Sequence, residues 1–229
     1  MEKWMKLLLV AVMPVLFLTS CDDDDDDINT DETAMVMVVH ASPDAPGVDL
    51  LVDNAKVNTA PLTFPGNTGY LDVQAGKRNV KVNAAGTSTT VIDANLDLEK
   101  NESYSVFAIN TLSAIEPLVL EDDLDAPAAG KAHVRFVHLS PDAPAVDIAV
   151  TNGPVLFSNR AFKSATEFSP VDAASYDLEV RLAGTNTVVL TVPDVQLANG
   201  RIYTIFARGF VAPPAENDNG LGAEIIVNK

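Results

Sequence analysis

Cysteine is nearly absent. One residue, Cys21, occurs in 229, so no disulfide can form within the chain and any folded part must be held by its own core. Basic residues are also scarce: 15 Lys and Arg stand against 32 Asp and Glu, a net charge of −17. The Lys and Arg are scattered rather than clustered, which excludes the phosphate neutralisation that nucleic-acid binding needs. Histidine occurs three times, without an H-x-H or H-x-x-x-H pair, so the sequence calls for no metal and no cofactor. After residue 20 no apolar stretch approaches the eighteen or so residues of a membrane span.

The chain does have a long apolar run at its start. Lys3 and Lys6 precede Leu7 to Leu18, a pattern of basic and then apolar residues that is too short for a stable span and suits a signal peptide. The run ends in Leu18-Thr19-Ser20-Cys21, which resembles the lipobox of bacterial lipoproteins. That resemblance implies cleavage after residue 20, a diacylglycerol on the Cys21 sulfur and attachment to a membrane through this lipid. Residues 1–20 are then the signal peptide and 21–34 a lipidated acidic tether, in which Asp22 to Asp27, Asp31 and Glu32 cannot bury apolar area. The expected location is the bacterial cell envelope, on the periplasmic face or the cell surface. Acidic residues directly after a lipidated cysteine resemble inner-membrane retention signals in some bacteria and surface-export signals in others, and both readings stay open.

Displaced by 98 residues, the chain matches itself. His40-Ala-Ser-Pro-Asp-Ala-Pro-Gly-Val-Asp49 aligns with His138-Leu-Ser-Pro-Asp-Ala-Pro-Ala-Val-Asp147, identical at eight of ten positions. The same offset pairs Phe64 with Phe162, Tyr70 with Phe168 and Val82 with Val180, and one added residue brings Tyr104 onto Tyr203 and Phe107 onto Phe206. A period this long exceeds the 20 to 50 residues or so of solenoid units and points to two whole domains. They are expected at 35–120 and 132–229, joined by a linker at 121–131 that has no periodicity.

Each repeat reads as strands. Val48, Leu50 and Val52 alternate with Asp49 and Asp53, and Val146, Ile148 and Val150 with Asp147 and Thr151, the two-residue period of half-buried strands. Turn residues punctuate the runs, and no amphipathic helix is expected. Leu98 lies six residues before Tyr104, and Leu197 six before Tyr203, a spacing that resembles the tyrosine corner of immunoglobulin-like sandwiches. The expected fold is all-β: two tandem immunoglobulin-like (Greek-key) β-sandwich domains.

The distinctive motif is H-x-S-P-D-A-P-x-V-D: His40, Ser42, Pro43, Asp44, Pro46 and Asp49 in the first copy, His138, Ser140, Pro141, Asp142, Pro144 and Asp147 in the second. Ser, Pro and Asp in succession suit a type I turn, and the polar side chains can bond the carbonyls and amides that the prolines leave unpaired. A structural staple is therefore the leading reading. At this motif the chain resembles the bacterial family named domain of unknown function 4397, which implies a β-sandwich and a cell-envelope setting but supplies no activity, cofactor or catalytic residue.

Two sharper readings compete with the staple. His, Ser and Asp are the members of a hydrolase triad, yet no G-x-S-x-G elbow accompanies either serine. The polar residues Glu216, Asn217, Asp218 and Asn219 form a candidate binding loop, though without the D-x-D-x-D-G order of a calcium site. The expectation is a non-enzymatic surface-binding, adhesion or scaffolding lipoprotein whose partner is an envelope protein or glycan. The alternatives are an envelope hydrolase and a calcium-stabilised adhesin.

Overall fold

The computed structural model describes residues 32–229. The expected signal peptide, Cys21 and nearly all of the expected tether lie outside the described residues. The rest is built from strands, and the sole helical turn among the described residues is a short 3-10 element at Leu112–Ala114.

The first repeat contributes β1 (Thr33–His40), β2 (Val48–Val52), β3 (Ala55–Lys56), β4 (Asn67–Gln74), β5 (Gly76–Ala84), β6 (Thr90–Leu98), β7 (Ser103–Ile109) and β8 (Glu116–Glu121). They form two four-stranded sheets, ordered β4-β1-β7-β8 and β3-β2-β5-β6. Val36, Val38, Tyr104 and Val106 of one sheet pack against Leu50, Val80, Val82 and Ile92 of the other, so the inward half of each alternating pattern makes a single core. The second repeat has β9 (Lys131–His138), β10 (Val146–Val150), β11 (Val155–Arg160), β12 (Ser169–Asp172), β13 (Ala174–Leu182), β14 (Val188–Leu197), β15 (Ile202–Arg208) and β16 (Gly222–Val227). Its sheets are ordered β12-β9-β15-β16 and β11-β10-β13-β14, the same arrangement around a second core.

The strand order departs from the immunoglobulin one, in which A, B, E and D share a sheet. Here β1 pairs with β4 and, in parallel, with β7, while β2 pairs with β3 and β5 in the opposite sheet. The motif explains the difference. Pro43 and Pro46 cannot donate to a ladder, so the segment from His40 to Val48 crosses the end of the sandwich instead of turning back as a hairpin. At the β6–β7 corner the Tyr104 hydroxyl accepts the Glu99 N–H at 3.1 Å, and at the β14–β15 corner Tyr203 accepts the Ala198 N–H at 3.0 Å. Leu98 and Leu197 are buried beside these rings.

A third core lies between the domains. The sides of β1 and β7 that face away from the first core carry Met37, Val39, Phe107 and Ile109, and these pack on Val137, Leu139, Phe206 and Ile226 of the second domain. Phe107 and Phe206, which occupy matching positions in the two repeats, meet edge to face at 6.0 Å, a contact worth about 0.5–1.5 kcal/mol beyond its buried area. β1, β7, β9 and β15 are thus covered on both faces, and the two sandwiches stack into four β layers.

Polar groups are sealed into this junction. Arg135 of β9 is 2 % exposed, and its guanidinium lies 2.6 Å from the Asp122 carboxylate. Asp122, the first residue after β8, also accepts from the Ser105 hydroxyl at 2.6 Å and from the Tyr70 hydroxyl. Arg135 donates further to Thr204 at 2.8 Å and Ser105 at 2.9 Å, and its plane lies 4.5 Å over the Phe168 ring. Asn228 closes the network, accepting from Thr204 at 2.8 Å and donating to Tyr70 at 3.0 Å. Burial, reinforced by the Asp122 charge, pushes the Tyr70 hydroxyl far above its usual pKa, so it remains a proton donor.

A buried charge that loses its partner costs about 3–5 kcal/mol, whereas an apolar replacement of both partners is often neutral. Asp122→Asn is therefore expected to destabilise the chain by about that amount in urea unfolding. Adding Arg135→Met, which restores the residue found at the matching Met37, should recover most of the loss. A small effect of Asp122→Asn alone would show that the pair is not sealed from water.

Candidate functional site

The motif lies at the end of each sandwich, between β1 and β2 and between β9 and β10. His40 and His138 are fully buried. In each ring Nε2 faces a carbonyl, Pro46 O at 2.9 Å and Pro144 O at 3.1 Å. A carbonyl can only accept, so Nε2 carries the proton, and Nδ1 is left as a buried acceptor with no partner. Burial lowers both imidazole pKa values, keeping the rings neutral.

The aspartates each hold a turn. Asp44 accepts the Leu112 N–H at 2.7 Å, and Asp142 accepts the Val211 and Ala212 N–H groups at 2.8 and 3.0 Å, so both tie the motif to the connection that follows β7 or β15. Asp49 and Asp147 reach the opposite way, to the hairpin glycines: Gly86 N–H lies 3.0 Å from Asp49 and Gly184 N–H 2.9 Å from Asp147. Lys56 adds an ion pair to Asp49 at 2.7 Å, and that ammonium, with the Gly86 N–H, holds the carboxyl below its usual pKa. Asp147 instead accepts the Asn159 N–H at 2.7 Å.

The two serines differ. Ser140 Oγ donates to the Gly209 carbonyl at 2.6 Å, while Ser42 Oγ is buried without a partner. Neither hydroxyl is hydrogen-bonded to its histidine: each Nε2 is occupied by a proline carbonyl, and Ser140 is spent on a backbone carbonyl. Pro43 is buried and Pro141 half-buried.

The loop expected to bind an outside ligand is engaged within the chain. Asn217 and Asn219 of the second domain both donate to the Pro43 carbonyl of the first, at 3.1 and 2.6 Å. The loop base is held by the Phe210 N–H on Asn219 O at 2.9 Å. Gly209 has φ +78°, and a Cβ there would lie 2.1 Å from Gly220 O, so only glycine fits at this point. Glu216 and Asp218 share the loop, and among the described residues no group of three or more His, Cys, Asp or Glu is arranged to hold a metal. At the rim of the junction Lys163 pairs with Glu116 at 2.6 Å, and Arg208 lies over Phe64 at 5.7 Å. Asn217 and Asn219 could be picked out as loop residues in the sequence, but nothing local marked the partner 174 to 176 positions away.

Two predictions follow from this geometry. Ser140→Ala leaves a buried carbonyl unpaired and should cost about 1–3 kcal/mol, while Ser42→Ala, which removes a hydroxyl that bonds nothing, should be neutral or slightly stabilising; equal losses in denaturant melts would contradict the assigned bonding. The depressed histidine pKa values make stability full above the unfolded value of 6.5. It falls as pH drops below 6.5, because the unfolded rings then take up protons that the folded ones refuse. Melting temperatures between pH 8 and 5 should decline for the natural chain and flatten for the double variant His40→Gln, His138→Gln; matching slopes would refute the neutral-ring assignment.

No curated protein matches the chain. Among solved structures, the crystal structure of CBMbc (family CBM26) from Eubacterium rectale Amy13K in complex with maltoheptaose is similar at 10% identity, over 84% of this chain and 96% of that one, with a TM-score of 0.29. That likeness is too distant to equate strand with strand. The family model described as domain of unknown function (DUF4397) matches residues 34–149, from β1 through the first motif, across the linker and the second motif into β10. With half its length so matched, the chain belongs to the DUF4397 family.

Proposed function

We propose that this protein is a non-enzymatic, lipid-anchored module of the bacterial cell envelope that binds an envelope protein or glycan. In this reading Cys21 carries the lipid, the acidic segment spaces the folded part from the membrane, and the stacked Greek-key sandwiches form a rigid head. The observation that carries the non-enzymatic part is how the motif side chains are used. His138 donates to Pro144 O and Ser140 to Gly209 O, so neither motif serine is hydrogen-bonded to a histidine base, and the same residue types recur at both sandwich ends, as a structural device would. The buried ion pair and the loop bonded to Pro43 support a head that presents its surfaces in one fixed orientation.

The anchor is tested by metabolic labelling with a palmitate analogue. The natural chain should label and sediment with membranes, whereas Cys21→Ser should do neither; equal labelling of the two would sink the lipoprotein reading. Binding is tested by co-sedimentation with isolated cell-wall sacculi and on a glycan array, where saturable retention is expected. Turnover of an ester, peptide or glycoside that Ser140→Ala removes without altering the melting temperature would make the protein a hydrolase instead.

A further inference from the structure

The end of the second domain is open. A cavity of about 440 Å³ lies there, within the range of small-molecule sites. It enters between the sheets beside His138 and is lined by Val180 and Leu182 of β13, Val189 of β14, and Val211 and Leu221 of the β15–β16 connection. None of its lining residues is Asp, Glu, Lys or Arg.

The first domain carries apolar residues at the matching positions and uses them differently. The strand registers equate Val91 with Val189 and Ile115 with Leu221. Val91 and Ile115 pack against the first core, whereas neither Val189, 39 % exposed, nor Leu221 packs against the second. The connections account for this. In the first domain residues 110–115 join β7 to β8 directly. In the second, residues 209–221 extend to the other domain, where Asn217 and Asn219 are bonded to Pro43 O, and the loop is drawn off the sandwich end instead of plugging it.

We infer that this cavity is a binding site for a small, uncharged, apolar molecule. A carboxylate or ammonium entering it would lose water and meet no opposite charge. Apolar groups gain from burial against the valine and leucine wall. His138, the one ionisable side chain at the wall, is fully buried behind it, so the cavity offers a ligand apolar surface and little to hydrogen-bond. The inference goes beyond the binding reading, since such a molecule is neither an envelope protein nor a glycan.

The test uses the full chain with labelled Val, Leu and Ile methyl groups and three probes of one shape: 4-butylphenol, butylbenzene and 4-butylbenzoate. The phenol should shift the methyl signals of Val180, Leu182, Val189 and Leu221 saturably and leave Val82, Val91 and Ile115 unmoved. Butylbenzene should act at the same methyls at least as strongly, and the benzoate should bind at least tenfold more weakly than the phenol. Val211→Trp, at an exposed position on the rim, should lower phenol affinity at least tenfold at unchanged melting temperature, and Leu182→Phe should do the same from inside if Val211→Trp fails to fold. Shifts in neither domain, equal shifts in both, or benzoate binding as tightly as phenol would overturn the site. None of those results touches the reading of a protein- or glycan-binding module, which is tested separately on sacculi and the glycan array.

Discussion

The Arg135–Asp122 pair decides how the two halves of this protein sit together. A guanidinium and a carboxylate taken out of water are tolerable only when every remaining donor and acceptor is met. Here they are met by Ser105 and Tyr70 from the first domain and Thr204 and Asn228 from the second. Sliding or rotating one sheet over the other would strand those groups. The surrounding Met37, Val39, Phe107, Val137 and Phe206 supply apolar area but little direction; direction comes from the polar network they enclose.

The network is also where the duplicated halves differ most usefully. Strand registers place Met37 opposite in role to Arg135, Ser105 to Thr204 and Asp122 to Asn228, since Glu121 pairs with Tyr104 as Val227 pairs with Tyr203. Two copies of the first face would bury Asp122 against methionine with no cation, and two copies of the second would bury Arg135 with no carboxylate. Either self-pairing carries the cost of an unpaired buried charge. The face that joins the domains therefore favours the partner within the same chain over a second molecule.

Much of the fold could be read from residues alone. The two-residue alternation at Val48–Val52 and Val146–Val150 and the long repeat lead directly to the all-β class, and the Leu–Tyr spacing leads to hydroxyls that accept corner N–H groups. The sheet order could not be read, because it depends on where the proline-bounded segment after His40 deposits β2. The interface was signalled but in a form easily passed over: Met35 to Val39 and Tyr104 to Ile109 do not alternate, which is how strands buried on both faces read. Arg135, a lone cation within Val134-Arg-Phe-Val137, carries no local sign of burial, and its carboxylate lies near the start of a stretch that reads as featureless linker. Long-range pairings such as Asn219 with Pro43 leave no local trace.

The same divergence shapes what the ends of the sandwiches can do. Both copies keep the histidine, the proline carbonyl it bonds and the aspartate that holds the following connection. What changed is the length of that connection. In the first domain it is short enough for Ile115 to fold back onto the core; in the second it is long enough to leave the sandwich and reach the neighbouring motif. The bonds to Pro43 and the opening beside His138 thus have one cause. A loop that secures the junction cannot also fill the end of its own domain, so the rigidity of the pair and the accessibility of the cavity rise together.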